Sequence, residues 1–423
     1  MVISSLGDWV GAIALVALVA RLGGSRFGAL AVAGVMLARL LSLLLFGALA
    51  GVAVDRFDRR RVMMSADLSR AILYAALPLV SNLWWIAAIS FFIESSSLLW
   101  APAKDASLPH LVPPDQLVNA NSVSVIAAWG TLPVGAAIFM GFAAIAARLG
   151  GYLGNRPESL ALWLDALSFL FSARMIWGLQ APLQSARPRP ARSLAALRFR
   201  EAVIEAHAGY RVQARHRVAK PVTIGMLMAF AGVGAVVSLA PVLARYSLHT
   251  GATGFGAIVV AFGIGMVGGM WLAASRLHLA GTARTFTSAM LGAGSCLFAL
   301  AIAPTVGAAM IVAVPMGLGV GLTWVAGYTL LQTNVADEFR GRMFANLTVS
   351  SRVTLFGARV VFPLLAAAIG TRDVVVGGAS LELSGTRVAL CIGSVTVVAA
   401  AALARHMLRR SAGDPVRWEA GVQ

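Results

Sequence analysis

Long apolar runs, broken by short polar or glycine- and proline-containing breaks, fill almost the whole chain. A helix of ~20 apolar residues crosses a bilayer. The runs and their breakers predict twelve such helices, over 3–20, 28–50, 62–80, 84–103, 118–147, 159–180, 221–244, 254–275, 284–303, 307–333, 343–369 and 386–408. The one long polar break, 181–220, begins with Pro182, Pro188 and Pro190. Leu194, Leu197, Ile204 and Ala208 then recur at near-helical spacing among arginines, the mark of an amphipathic helix on a membrane surface. The predicted architecture is an all-α integral membrane protein. It has an N-terminal six-helix bundle (1–180), a linker with an amphipathic helix (181–220), a C-terminal six-helix bundle (221–410) and a tail (411–423).

Composition agrees. The chain is 59% hydrophobic and 12% charged, with mean hydropathy +0.82, so lipid is its solvent. The net charge of +17 does not signal nucleic acid, because the arginines form no face and sit between apolar runs. Twenty-two Lys and Arg fall on one side of the predicted membrane and seven on the other. That bias predicts both termini in the cytoplasm and a multi-pass protein of the inner (plasma) membrane. Met1–Gly24 is not read as a signal peptide, since it lacks a basic start and carries Asp8. Cys296 and Cys391 lie in apolar runs, which excludes a disulfide framework and argues against a metal site. No nucleophile triad, phosphate loop or HExxH motif is present, so no enzyme activity and no cofactor is expected.

The segment Gly47–Arg61 carries the most specific motif. An apolar helix with Gly47 and Gly51 runs into Asp55-Arg56-Phe57-Asp58-Arg59-Arg60-Arg61, and a new apolar run starts at Val62. Gly51, Asp55, Arg56, Arg59 and Arg60 resemble the loop between the second and third helices of the major facilitator superfamily; Asp58 stands where that family more often has glycine. A second segment, Gln332 to Phe344 with Val335, Asp337-Glu338 and Arg340-Gly341-Arg342, resembles the branch containing the enterobactin exporter and macrolide efflux permeases. Gly7-Asp8-Trp9, Pro102-Ala103 and Leu108-Pro109 resemble that branch too. Val112 to Asn121 and Val335 to Asn346 form a weak internal repeat, in keeping with two parallel halves. Superfamily antiporters often carry Gly-Pro-x-x-Gly-Gly in the fifth helix; Leu132-Pro133-Val134-Gly135-Ala136-Ala137 keeps the proline and one glycine. The first span starts at Met1 without the basic stretch such relatives usually carry, so a few preceding residues are expected.

Ionisable groups inside the membrane mark candidate chemistry, since each costs at least ~2.5–3.5 kcal/mol there. Glu94, Arg39 and Arg352 are placed at mid-depth, Glu94 as readily a structural partner of Arg39 as a proton carrier; Asp8 and Asp165 are shallower and read first as structural anchors. Together these five are the candidate proton-coupling and cavity residues. Arg70, Arg174 and Arg359 are expected to snorkel to a membrane face. The tryptophans near span ends, such as Trp84, Trp85, Trp100, Trp163 and Trp177, read as an aromatic belt. Glycines 254, 256, 263, 265, 268 and 269, with 317, 319 and 321, read as close-packing seams. The resemblance implies a cytoplasmic gate formed by Gly51, Asp55, Arg56, Arg59, Arg60, Asp337, Arg340, Gly341 and Arg342. It implies a monomeric, proton-coupled antiporter working by alternating access on a multidrug or siderophore type of substrate. The partners are then a small amphipathic molecule, protons and the lipid bilayer, with no nucleic acid. A lysophospholipid transporter and a non-transporting scaffold or sensor are the competing readings.

Overall fold

The computed structural model describes residues 2–111, 130–178, 216–335, 337–376 and 379–411. Twelve helices among these are long and apolar enough to cross a membrane. They are α1 (Ile3–Ser25), α2 (Phe27–Phe46), α3 (Arg59–Leu79), α4 (Leu83–Lys104), α5 (Leu132–Leu149), α6 (Ser159–Trp177), α7 (Ala219–Ser247), α8 (Gly251–Ala273), α9 (Thr282–Ile302), α10 (Val306–Asn334), α11 (Asn346–Ile369) and α12 (Gly385–Arg410). The start of the fifth predicted span, the amphipathic linker helix, the first arm of the internal repeat and the tail lie outside the described residues.

Local chemistry sets the breaks. Gly24, at φ 68° and ψ −172°, turns the chain from α1 into α2 in a conformation that favours glycine. Asp58 caps α3, its carboxylate accepting from the Arg60 amide at 2.8 Å and the Arg61 amide at 3.3 Å. That cap gives a physical reason for an aspartate where the resembling loops carry glycine. Thr305 caps α10 by accepting from the Ala308 amide at 3.2 Å. Pro241, Pro315 and Pro363 lie inside α7, α10 and α11, where neighbouring helices can compensate for a lost backbone bond. Among the described residues, one feature departs from an all-helical chain: an antiparallel hairpin, Thr371–Val376 with Ala379–Ser384, lies between α11 and α12.

The helices form two six-helix bundles, α1–α6 and α7–α12, which meet along α2–α11 and α5–α8. The α8–α10 crossing inside the second bundle is a reciprocal glycine seam. A Cβ at Gly265 or Gly269 would lie 2.0–2.1 Å from the carbonyls of Val314 and Leu318, and one at Gly317 would lie 2.0 Å from that of Phe262. Gly263 instead meets Pro133 of α5, so the retained proline of the fifth-helix motif packs across the two bundles. Gly268 faces open space.

The core is distributed unevenly along the membrane normal. We call the end carrying the Arg59–Arg61 turn the arginine end and the opposite one the far end. Toward the far end one apolar core crosses both bundles, with Leu18, Met36 and Phe139 from the first and Leu239, Phe255 and Leu300 from the second. Toward the arginine end the described core splits. Val62, Met63, Ala103 and Ile176 cluster in the first bundle; Met226, Phe286, Leu331 and Leu347 cluster in the second. Tyr246 also donates to the Ala20 carbonyl at 3.2 Å, tying α7 to α1 at the far end. Among the described residues, the buried apolar core joins the two bundles at the far end and forms one cluster per bundle at the other. Large apolar side chains such as Trp84, Trp271 and Ile311 stay exposed on the perimeter, as lipid-facing positions should.

Candidate functional site

Two polar constellations lie inside the apolar mass. The first joins the bundles. Arg39 of α2 donates to Glu94 Oε2 of α4 through Nη2 at 2.5 Å and Nε at 2.9 Å. The Arg39 guanidinium stands 6.0 Å from the Phe356 ring centre on α11, and the Arg359 guanidinium stands 5.4 Å from the same ring. One aromatic ring from the second bundle therefore has a guanidinium from each bundle beside it, and Arg359 lies within the electrostatic field of Arg39 and Glu94. Arg359 Nε is buried without a hydrogen-bond partner.

Arg359 thus occupies the place expected for Arg352, and it does not snorkel. Arg352 is exposed on α11 and is not brought to the Arg39–Glu94 pair. The reason is depth. Measured from the far ends Phe27, Leu83 and Ile369, Arg39, Glu94 and Arg359 all lie ~15–18 Å into their spans. Arg352 is ~9 Å past Asn346, because the helix runs on from Asp337 beyond the membrane-length segment.

The second constellation lies within the first bundle. Arg70 of α3 is buried and paired with Asp67 of the same helix, and its Nη1 lies 3.6 Å from Asp8 Oδ1 of α1. Its guanidinium lies 4.1 Å from the Phe169 ring centre and 5.3 Å from that of Trp100. Ser172 of α6 donates to Asp67 Oδ2 at 2.7 Å, and Ser168 donates to Asp165 Oδ1 at 3.1 Å. Asp165 packs against the glycine face of α1, where a Cβ at Gly11 would come 1.9 Å from its Oδ2. Tyr74 interacts with both Arg39 and Asp165 and so links the two constellations.

Arg70 is therefore corrected from a snorkelling residue to the centre of a buried network; Arg174 is exposed in the last turn of α6. Trp100 packs on Arg70 and Trp163 donates to the Ala75 carbonyl at 3.2 Å, so neither is only a belt residue, whereas Trp84, Trp85 and Trp177 are exposed. Asp67 was not singled out by sequence. Its signal was the Asp-x-x-Arg spacing to Arg70, which puts both on one helix face. In the second bundle, Phe230, Trp324, Tyr328 and Phe344 form a continuous aromatic ladder, with successive centroids 4.9, 5.3 and 5.2 Å apart. Of the expected gate, Arg59 and Arg60 are described, and Arg60 donates to the Trp177 carbonyl. The side chains of Asp55, Arg56, Asp337, Arg340 and Arg342, and the packing of Gly51 and Gly341, lie outside the described residues.

A family model described as transmembrane secretion effector matches residues 1–413. The chain belongs to that family, within the major facilitator superfamily of membrane transporters. It is similar to the MFS-type transporter YfiS of Bacillus subtilis, 34% identical over 125 residues, which is 29% of each chain. It is also similar to macrolide efflux protein A of Enterococcus faecalis, 33% identical over 84 residues, covering 19% of this chain and 26% of that one. The matched segments thus span under a third of either relative. Solved structures with the same fold include a bacterial homologue of the lysosomal transporter Spinster (TM-score 0.66, 14% identity, 99% of both chains). A D-xylose–proton symporter is another (TM-score 0.67, 13% identity, 95% of both chains). Family and fold are those of membrane transporters.

Proposed function

We propose that this family member is a proton-coupled exporter of amphipathic small molecules, working by alternating access. The observation that carries the reading is the charge set where the bundles meet. Arg39 and Glu94 from one bundle and Arg359 from the other share one level and one aromatic ring, Phe356. Ionisable groups held at mid-membrane are costly and by default mark a substrate or ion pathway as well as a pairing. A set shared by two bundles changes whenever they rock, which is what coupling a bound charge to alternating access requires.

The arginine bias supports a cytoplasmic arginine end with both termini beside it. The charged wall of the first bundle and the aromatic ladder of the second would together suit a molecule with one polar and one apolar face. The likeness to macrolide efflux protein A supports a macrolide-like substrate; the likeness covers one segment, so a drug or siderophore of similar character fits the same walls.

The experiment is a growth panel of amphipathic toxic compounds on cells expressing the protein, with and without a protonophore. Export predicts resistance to at least one compound that the protonophore removes. Unchanged sensitivity across macrolides, lipophilic dyes and siderophores would contradict it.

A further inference from the structure

Asp165 is fully buried, yet its carboxylate is only half satisfied. Ser168 serves Oδ1, while Oδ2 has no hydrogen-bond partner. An ionised carboxylate in such a place is unfavourable unless a cation pairs with it. The charges around it come from three helices: Asp8 from α1, Arg70 from α3 beside Tyr74, and Arg39 from α2. Asp67 of α3 and Glu94 of α4 act on Asp8 in turn, and Ser168 and Ser172 lie on its own helix, α6. Four carboxylates thus face three guanidiniums, Arg39, Arg70 and, beside Glu94, Arg359. Arg39 is held by Glu94, and Arg70 is shared by Asp67 and Asp8, so Asp165 has no cation of its own.

We propose that Asp165 holds the proton exchanged for substrate, and that Asp8 loads it from the open side of the bundle. This deepens the export reading above and rests on it. Asp8 suits the port. Its side chain is 47% exposed, against 3% for Arg70 and 0% for Asp67, so of the three it alone can be reached from outside the bundle. Its neighbour Gly7 packs directly on Asp165 and Ser168. A proton from cavity water binds an Asp8 oxygen and passes to an Asp165 oxygen. Only O–H bonds form and break, and one positive charge moves inward. A metal cation does not fit the same role, since it needs several oxygens around it. Oδ2 instead lies against the glycine face of α1 at Gly11, where the Tyr74 ring also packs. Losing the proton would add a negative charge beside Tyr74, which stands next to Arg39, and would compete with Glu94 for that arginine.

The test needs no substrate. Infrared difference spectra of the purified protein in liposomes would follow the protonated-carboxyl stretch through an acid-to-alkaline titration. Wild type should show a titrating band that Asp165→Asn removes and Asp165→Glu retains at a shifted frequency. Asp8→Asn should keep the band and slow its exchange at least tenfold. A band unchanged in Asp165→Asn, or one that moves when sodium replaces choline, would overturn the assignment. Because the readout is protonation alone, it stands or falls separately from any failure to find an exported compound.

Discussion

Arg39 directs both Nη2, at 2.5 Å, and Nε, at 2.9 Å, to the single oxygen Oε2 of Glu94. A guanidinium holding one carboxylate oxygen with two donors leaves the other oxygen free for a third group. Arg359 is the cation nearby from the other bundle. Removing one member of a buried pair costs up to ~3–5 kcal/mol, and the slight exposure of this one lowers that figure. Glu94→Ala should therefore unfold in detergent at clearly lower temperature than Glu94→Gln, which can still accept from Arg39. Equal melting temperatures for the two variants and wild type would mean the pair does not hold α2 to α4.

Arg359 stands beside the Arg39–Glu94 pair and Arg352 does not, and the two give contrasting expectations. Arg359→Ala should lower transport roughly tenfold, equivalent to ~1.4 kcal/mol of lost interaction, without lowering abundance in proportion. Arg352→Ala should stay within about twofold of wild type, as expected for an exposed position making a small energetic contribution. Transport per molecule of membrane-inserted protein is the measurement. The reverse ranking would restore Arg352 to the site.

The glycine seam predicts a sharp contrast between neighbours. A Cβ at Gly317 would meet the Phe262 carbonyl at 2.0 Å, whereas one at Gly268 would meet nothing within 4 Å. Gly317→Ala should destabilise by ~1–3 kcal/mol through overpacking. Gly268→Ala should be neutral. Folded yield and thermal unfolding of both variants would decide it; equal behaviour would place the α8–α10 contact elsewhere.

His216 predicts a pH effect outside the membrane. Its Nδ1 accepts from the Val218 amide at 3.2 Å and the Ala219 amide at 3.1 Å, capping α7. Burial holds its pKa below the ordinary histidine value, more than offsetting the opposing pull of the Asn334 backbone. A depressed folded value means the cap's stability is complete above the unfolded pKa of ~6.5 and is lost as pH falls through the folded value. Acidification should thus loosen the start of α7, a cap of this kind being worth ~1 kcal/mol. His216→Asn should flatten the pH dependence in hydrogen exchange at Val218 and Ala219. Faster exchange at alkaline pH, beyond the intrinsic chemical rate, would contradict the sign.

The spans were legible because lipid leaves a strong signature. Each needs a long apolar run, and Gly24, Asp58 and Thr305 mark breaks that a reader of sequence can find. The membrane charges were legible as a set but not in their pairing. Arg39 and Glu94 share a depth that residue counting reveals. Arg352 was misplaced because its helix starts at Asp337, well before the span. Arg70 was assigned to the surface because Asp67, its partner, went unnoticed. The hairpin at 371–384 leaves no such trace, being a short polar and apolar mixture between two spans.

On the proposed function, a proton gradient drives substrate through the charge set joining the two bundles. Everted membrane vesicles with an imposed pH gradient, acid inside, test it most directly, with radiolabelled erythromycin as probe. The account predicts concentrative uptake that a protonophore collapses and that Glu94→Gln abolishes at normal protein abundance. Uptake unaffected by the gradient, or of wild-type rate in Glu94→Gln, would contradict it.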